Sequence, residues 1–208
     1  MATAVGLQQH DITDERSIFR RSVQLGILTG IFVLVFSLAM RFLDGVAELA
    51  VCGPILLAGM YILYILPGLW TRARTIEGIA GAAGIGLGAA VVFLVIDVAL
   101  LQWIGTYTNR FLELGGGSNW WYHPVWWMLG SYVPWMGAFA MSFDVDRTGA
   151  PAPTKTYVTA IVVAAVLMVA GTWLHFPGAS LSLGAFAVAF FPAVGIVTGL
   201  ASLGRAKS

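Results

Sequence analysis

A carboxylate set in an apolar run is the residue of this chain that most demands a chemical explanation. Asp97 follows GIAGAAGIGLGAAVVFLVI, a stretch with no other charge. A charge at membrane depth is costly, so such residues face the interior of a bundle, take a partner, and often mark an ion or proton path. The alternative is a hydrogen-bonded Asp that fixes helix packing. Gln102, Glu113, His123 and His175 are the other candidates for such a path, and Arg41, Asp44, Glu48 and Arg110 fall toward the same side. Carboxylates and imidazoles together suit zinc, copper or iron. Strong metal motifs hold them at fixed local spacing, whereas these are scattered, and no metal site is assigned. His123 and His175 can also ligate haem or a chlorophyll-type pigment through a ring nitrogen; their places at the membrane edge do not favour it, and the cofactor stays unknown. The single cysteine, Cys52, has no CxxC or Cys/His spacing beside it and reads as packing.

Motifs for catalysis are missing. The chain has no P-loop lysine, no GxSxG elbow, no HExxH, and no internal link long enough for a catalytic domain. Ser131, Ser142, Ser180 and Ser182 lack a His or Lys at comparable depth, so the reading leans away from an enzyme.

A second kind of site is aromatic. NWWYHPVWWMLGSYVPW gathers five of the eight tryptophans into 17 residues. Amphipathic rings favour the headgroup zone, so an aromatic belt explains part of this. The density exceeds what one helix end needs, and Trp and Tyr dominate buried contact patches. Trp120, Trp121, Tyr122, Trp126, Trp127 and Trp135 are therefore candidates for an interface with a protein, pigment or lipid.

These residues must be held by elements that live in lipid. The 208 residues are 59% hydrophobic and 10% charged, with a mean hydropathy of +0.85, too apolar for a soluble domain to cover. The near-neutral balance of +1 supplies no basic face for a phosphate backbone, which sets nucleic acid aside. Six stretches are long enough to span as helices: 24–40, 49–70, 79–104, 120–141, 157–174 and 179–203, with a tight HFPG turn between the last two. The fold class is thus all-α, a polytopic transmembrane helix bundle of six spans. Of the 11 Lys and Arg, nine fall on one side (Arg16, Arg20, Arg21, Arg72, Arg74, Arg147, Lys155, Arg205, Lys207) and two on the other (Arg41, Arg110), which puts both termini in the cytoplasm. Residues 1–23 form a cytoplasmic N-terminal segment, 24–203 the membrane domain, and 204–208 a cytoplasmic tail. Arg20 and Arg21 superficially suggest an export signal, but no small-x-small cleavage site follows, and they read as the flank of a retained first helix. DITDERSIFRRS, residues 11–22, can instead form a short amphipathic helix on the membrane surface.

Three spans carry packing or breakage signals. At 100° per residue Gly84, Gly88 and Gln102 share one face of the third span, while Gly86, Ala90, Phe93 and Asp97 share another nearly opposite. Small residues at such spacing admit close helix approach, so the third span is expected at the centre of the bundle. Pro134 and Pro192 each remove a backbone hydrogen bond and predict kinks, freeing the carbonyls of Gly130 and Val188. Broken helices build solute sites in many transporters, but glycines and prolines do not recur at matching places in the two halves, and no inverted repeat is read.

Two functions remain open. One is a non-catalytic subunit of a larger membrane complex, packing and positioning partner chains, pigment or lipid, with other membrane proteins or a homo-oligomer as partners. The other is a small proton-linked or cation transporter that uses Asp97. Short loops and the charge bias suggest a bacterial inner membrane.

Overall fold

The computed structural model describes residues 12–107, 119–144 and 152–205, with 119–126 and 205 as helix backbone. Among the described residues all regular structure is helical: α1 (Glu15–Phe42), α2 (Gly45–Thr71), α3 (Ile76–Ile96) continued by a π-helical turn (Asp97–Leu101), α4 (Asn119–Phe143), α5 (Pro153–Trp173) and α6 (Leu183–Arg205).

Local chemistry sets the ends. Asp14 caps α1, its carboxylate accepting the Ser17 N–H at 2.9 Å. The Ser17 hydroxyl and that N–H together hold the Asp14 carboxyl below the usual carboxylate range. This depression keeps the cap intact above the ordinary carboxylate pKa, and the cap is lost only as the pH falls through the lowered value. α2 ends where Arg72 turns left-handed (φ 51°), with the Ala73 N–H on the Gly68 carbonyl at 3.0 Å and the Arg72 N–H on that of Leu69 at 3.2 Å. Pro153 opens α5 at its first turn, where a missing N–H costs nothing.

Several expected boundaries move. Residues 15–22 form no separate surface helix; they are the first turns of a 28-residue α1, so the first span is among the longest elements rather than the shortest. The link after α5 is not a tight HFPG turn. It runs over residues 174–182, with His175 (φ 55°) and Gly178 (φ 80°) left-handed, so the last helix starts at Leu183.

Among the described residues five helices are long and apolar enough to cross a membrane: α1, α2, α3 with its π-turn, α5 and α6. They expose rows such as Ile27, Ile31, Val35 and Leu38 on α1, and Val158, Val162, Val166 and Val169 on α5. Water would not tolerate apolar faces of that extent, and they belong within the hydrocarbon of a bilayer. The chain is a multi-pass integral membrane protein built as a helix bundle. α4, with 25 residues, extends about 37 Å at 1.5 Å per residue.

α3 and α4 share the centre of the bundle: α4 packs on α2, α3 and α6 and touches α5, while α3 lies between α1 and α4 and also meets α2. The third helix therefore has neighbours on two sides as expected, and it shares the interior with the aromatic helix after it. Both faces of α4 are cut close. A Cβ on Gly137 would stand 1.6 Å from the Tyr64 carbonyl oxygen, and one on Gly86 of α3 would stand 2.0 Å from that of Gly130. Around α4 lies the main core, with Met60, Tyr64 and Ile65 from α2 and Phe190, Ala193 and Val194 from α6. Tyr64 meets Phe190 edge-on, with centroids 5.6 Å apart. Hydroxyls tie helices across this core: Thr198 donates to the Met136 carbonyl at 3.1 Å and Tyr132 to that of Phe191 at 3.2 Å.

Candidate functional site

Asp97 is fully buried, and the site is built by the turn it begins. The Gln102 N–H reaches the Asp97 carbonyl at 2.9 Å, five residues back instead of four. In a regular α-helix those two side chains would stand 140° apart. The wider turn swings Gln102 over Asp97, and its Nε2 donates to Oδ2 at 2.7 Å. The nearly opposite placement expected at 100° per residue is thereby corrected. The chain then doubles back: Gly105 is left-handed at φ 64°, and the Thr106 N–H returns to the Leu101 carbonyl at 3.1 Å. That reversal carries Tyr107 beside the carboxylate, where its hydroxyl donates to Oδ1.

Both oxygens of Asp97 are thus engaged by neutral donors, and among the described residues no cation contacts it. The returning segment is held from outside by Arg41, at the end of α1, whose Nη2 donates to the carbonyls of Gly105 and Thr106. Phe93, Leu94 and Leu101, with Val33 and Leu34 of α1, form the apolar surround that Tyr107 joins. The arrangement is a clamp: one buried carboxylate pins a π-turn, a side chain beyond it and a reversing loop, and one arginine pins that loop to α1. Replacing Arg41 with Ala should leave the helices intact but speed backbone hydrogen exchange at Thr106 and Tyr107 by about tenfold, the effect of losing charge-assisted hydrogen bonds of roughly 1.5 kcal/mol. Exchange unchanged from the parent would show that Arg41 does not hold the loop.

The other candidates separate. Glu113 lies outside the described residues, as do the side chains of His123, Trp120, Trp121, Tyr122 and Trp126. His175 is exposed in the turn after α5. Among the described residues no three His, Cys, Asp or Glu side chains come together as a metal site. Trp127 and Trp135 are about half exposed on α4. Gly86 and Ala90 pack against Gly130 and Pro134, and Gly88 lies against Ser22 of α1. Gly84 is exposed with nothing within 4 Å of where a Cβ would stand, so it packs against no other helix among the described residues. α4 and α6 both run on through their prolines, and the carbonyl freed by Pro134 is turned onto Gly86 rather than toward a solute site.

Sequence reasoning missed Tyr107, the role of Arg41, and the contacts of Gly26, Gly68 and Gly137. It also passed over Trp103 and Trp173, the most exposed tryptophans described. One signal was available: Gly130 and Gly137 are seven residues apart with Pro134 between them, a small-residue face over two turns.

Fold and site define an α-helical polytopic membrane protein with an internally hydrogen-bonded buried carboxylate. No family model matches the chain, and no curated protein or solved structure is detectably similar to it.

Proposed function

We propose that this protein is a non-catalytic subunit of a larger membrane assembly, a rigid bundle that positions partner chains, pigment or lipid. In this reading α4 also crosses the membrane, which brings the spans to six, both termini are cytoplasmic by the nine-to-two arginine and lysine bias, and the host is a bacterial inner membrane. The supporting observation is a shallow, open apolar groove of about 410 Å³ on the exposed face of α5, lined by Ala165, Val166, Val169, Ala170 and Trp173. Small residues there admit close approach of another apolar chain, and the exposed Trp173 supplies a rigid anchor at the groove's end. The buried polar groups around Asp97 meanwhile serve internal structure.

Purification from the native membrane in mild detergent, with mass spectrometry of what remains bound, tests this. A stoichiometric companion is expected, and the double substitution Ala165→Leu, Ala170→Leu should fill the groove and cut its retention at least tenfold while the chain still melts as the parent does. A chain that purifies alone from native membranes, without companion chain, pigment or tightly held lipid, would overturn the reading.

A second reading, proton-linked transport through Asp97, is favoured by one observation: the carboxylate is sealed, but its partner Gln102 is exposed, so a single side chain separates it from the surface. It requires that Asp97→Asn abolish coupled flux in reconstituted vesicles.

A further inference from the structure

The end of the bundle where α1 begins and α2 ends is strongly basic, and part of it is braced. The Ile12 N–H bonds the Thr71 carbonyl at 2.9 Å, which joins the chain ahead of α1 to the last residue of α2. On α1 the Arg21 guanidinium lies over the Trp70 ring, 4.8 Å from its centroid, and Nη1 donates to the Gln24 side chain at 2.9 Å. Stacking and one hydrogen bond fix the plane of this guanidinium while most of its five N–H donors remain for another acceptor. Arg20 precedes it, and Arg72 follows Trp70 by two residues at the left-handed cap of α2; both are exposed. Among the described residues neither has an acidic partner.

Nearby carboxylates are otherwise occupied. Asp14 caps α1 and lies beside Arg16, and Glu77 accepts the Thr75 hydroxyl at 2.6 Å. Glu15 stands in the first turn of α1, where the positive end of the helix dipole favours it. Lys155, on the same side, is neutralised by Asp144 at 2.5 Å. At this end the described residues carry five arginines, Arg16, Arg20, Arg21, Arg72 and Arg74, against three carboxylates, Asp14, Glu15 and Glu77, and Arg20, Arg21 and Arg72 lie where α1 enters and α2 leaves the apolar part of the bundle.

We propose that Arg20, Arg21 and Arg72 bind the phosphate of an anionic phospholipid, with Trp70 and Gln24 holding Arg21 ready for it. A lipid is the occupant the setting favours. The apolar flanks of α1 and α2 below the arginines accept its chains, and a phosphate above matches planar guanidinium donors in charge and geometry. This goes beyond the subunit reading and needs only helices that cross the bilayer.

The test is native mass spectrometry of the full chain from nanodiscs of phosphatidylcholine with phosphatidylglycerol added. The parent should retain phosphatidylglycerol in preference to phosphatidylcholine. Arg20→Gln and Arg72→Gln, which disturb no contact within the fold, should each weaken that retention about fivefold, whereas Lys155→Gln should not. Equal retention of the two lipids by the parent, or the same loss in Lys155→Gln, would overturn the assignment. If inorganic phosphate displaced the lipid fully at millimolar concentration, the arginines would form a free-anion site, and the lipid assignment would fail. Trp70→Leu should reduce the preference while all charges are kept, which a patch acting by net charge alone would not do.

Discussion

Gly137→Ala is expected to destabilise the bundle by about 3 kcal/mol or more. The added Cβ would lie 1.6 Å from the Tyr64 carbonyl oxygen and 2.7 Å from its carbon, both atoms of a helix backbone that cannot step aside alone. Relief requires α2 and α4 to separate, and that would open the contact of Gly68 with Ala138 and the packing of Tyr64 under Phe190. Overpacking a close-packed core costs about 1–3 kcal/mol where side chains can yield, and a backbone clash belongs at or above the upper end. Gly86→Ala should cost about as much, because its Cβ would meet the Gly130 carbonyl oxygen at 2.0 Å and Pro134 Cγ at 2.4 Å. Gly84→Ala is the control: the site is open, and alanine in a helix gains about 0.5 kcal/mol over glycine. Thermal unfolding in one detergent compares all three. A Gly137→Ala protein that melts with the parent would mean that α2 and α4 do not approach as described.

That pair of glycines on α3 also marks how far the sequence can be read. The apolar runs fix the helices, since lipid leaves the backbone no other way to satisfy its polar groups. The crowding of Gly84, Gly86 and Gly88 announces close packing on α3 but not which glycine takes part. Gly86 meets α4 and Gly84 meets nothing, because the choice depends on where neighbours stand. Hydropathy alone ends the first span short of Glu15, Arg16, Arg20 and Arg21 because they are polar, although a helix continues past the hydrocarbon as readily as within it. The inner face of the fourth helix is hidden in the sequence because Trp127 and Trp135 point to the surface, while Gly130, Gly137, Ala138 and Met141 face in. At the site, Asp97 and Gln102 were both singled out and then set apart by an α-helical count. Only a π-turn joins them, and nothing local in DVALLQ encodes it; Tyr107 and the reversal at Gly105 complete the contacts that accompany it.

Asp97→Leu should therefore do more than delete a carboxylate. It would leave the Tyr107 hydroxyl in an apolar surround without its acceptor, and it would remove the contact that holds Gln102 over the turn. Losing the acceptor of a part-buried donor costs about 1–3 kcal/mol, and the π-turn, no longer pinned, should relax toward α-helical bonding that carries Gln102 away from position 97. Asp97→Asn should be far milder, near 1 kcal/mol. Its Oδ1 still accepts from Tyr107, and its amide can donate to the Gln102 oxygen once that side chain turns over. The decisive comparison is a double-mutant cycle with Tyr107→Phe. If carboxylate and hydroxyl act as one clamp, Asp97→Leu with Tyr107→Phe should cost no more than Asp97→Leu alone, because the hydroxyl left unpaired by the first change is removed by the second. Strictly additive costs in chemical or thermal unfolding would mean that the two groups do not stabilise the fold through each other. The same variants divide the two functions. A clamp that only shapes a subunit lets Asp97→Asn assemble with its companions as the parent does, whereas a proton carrier loses coupled flux in Asp97→Asn while keeping its stability.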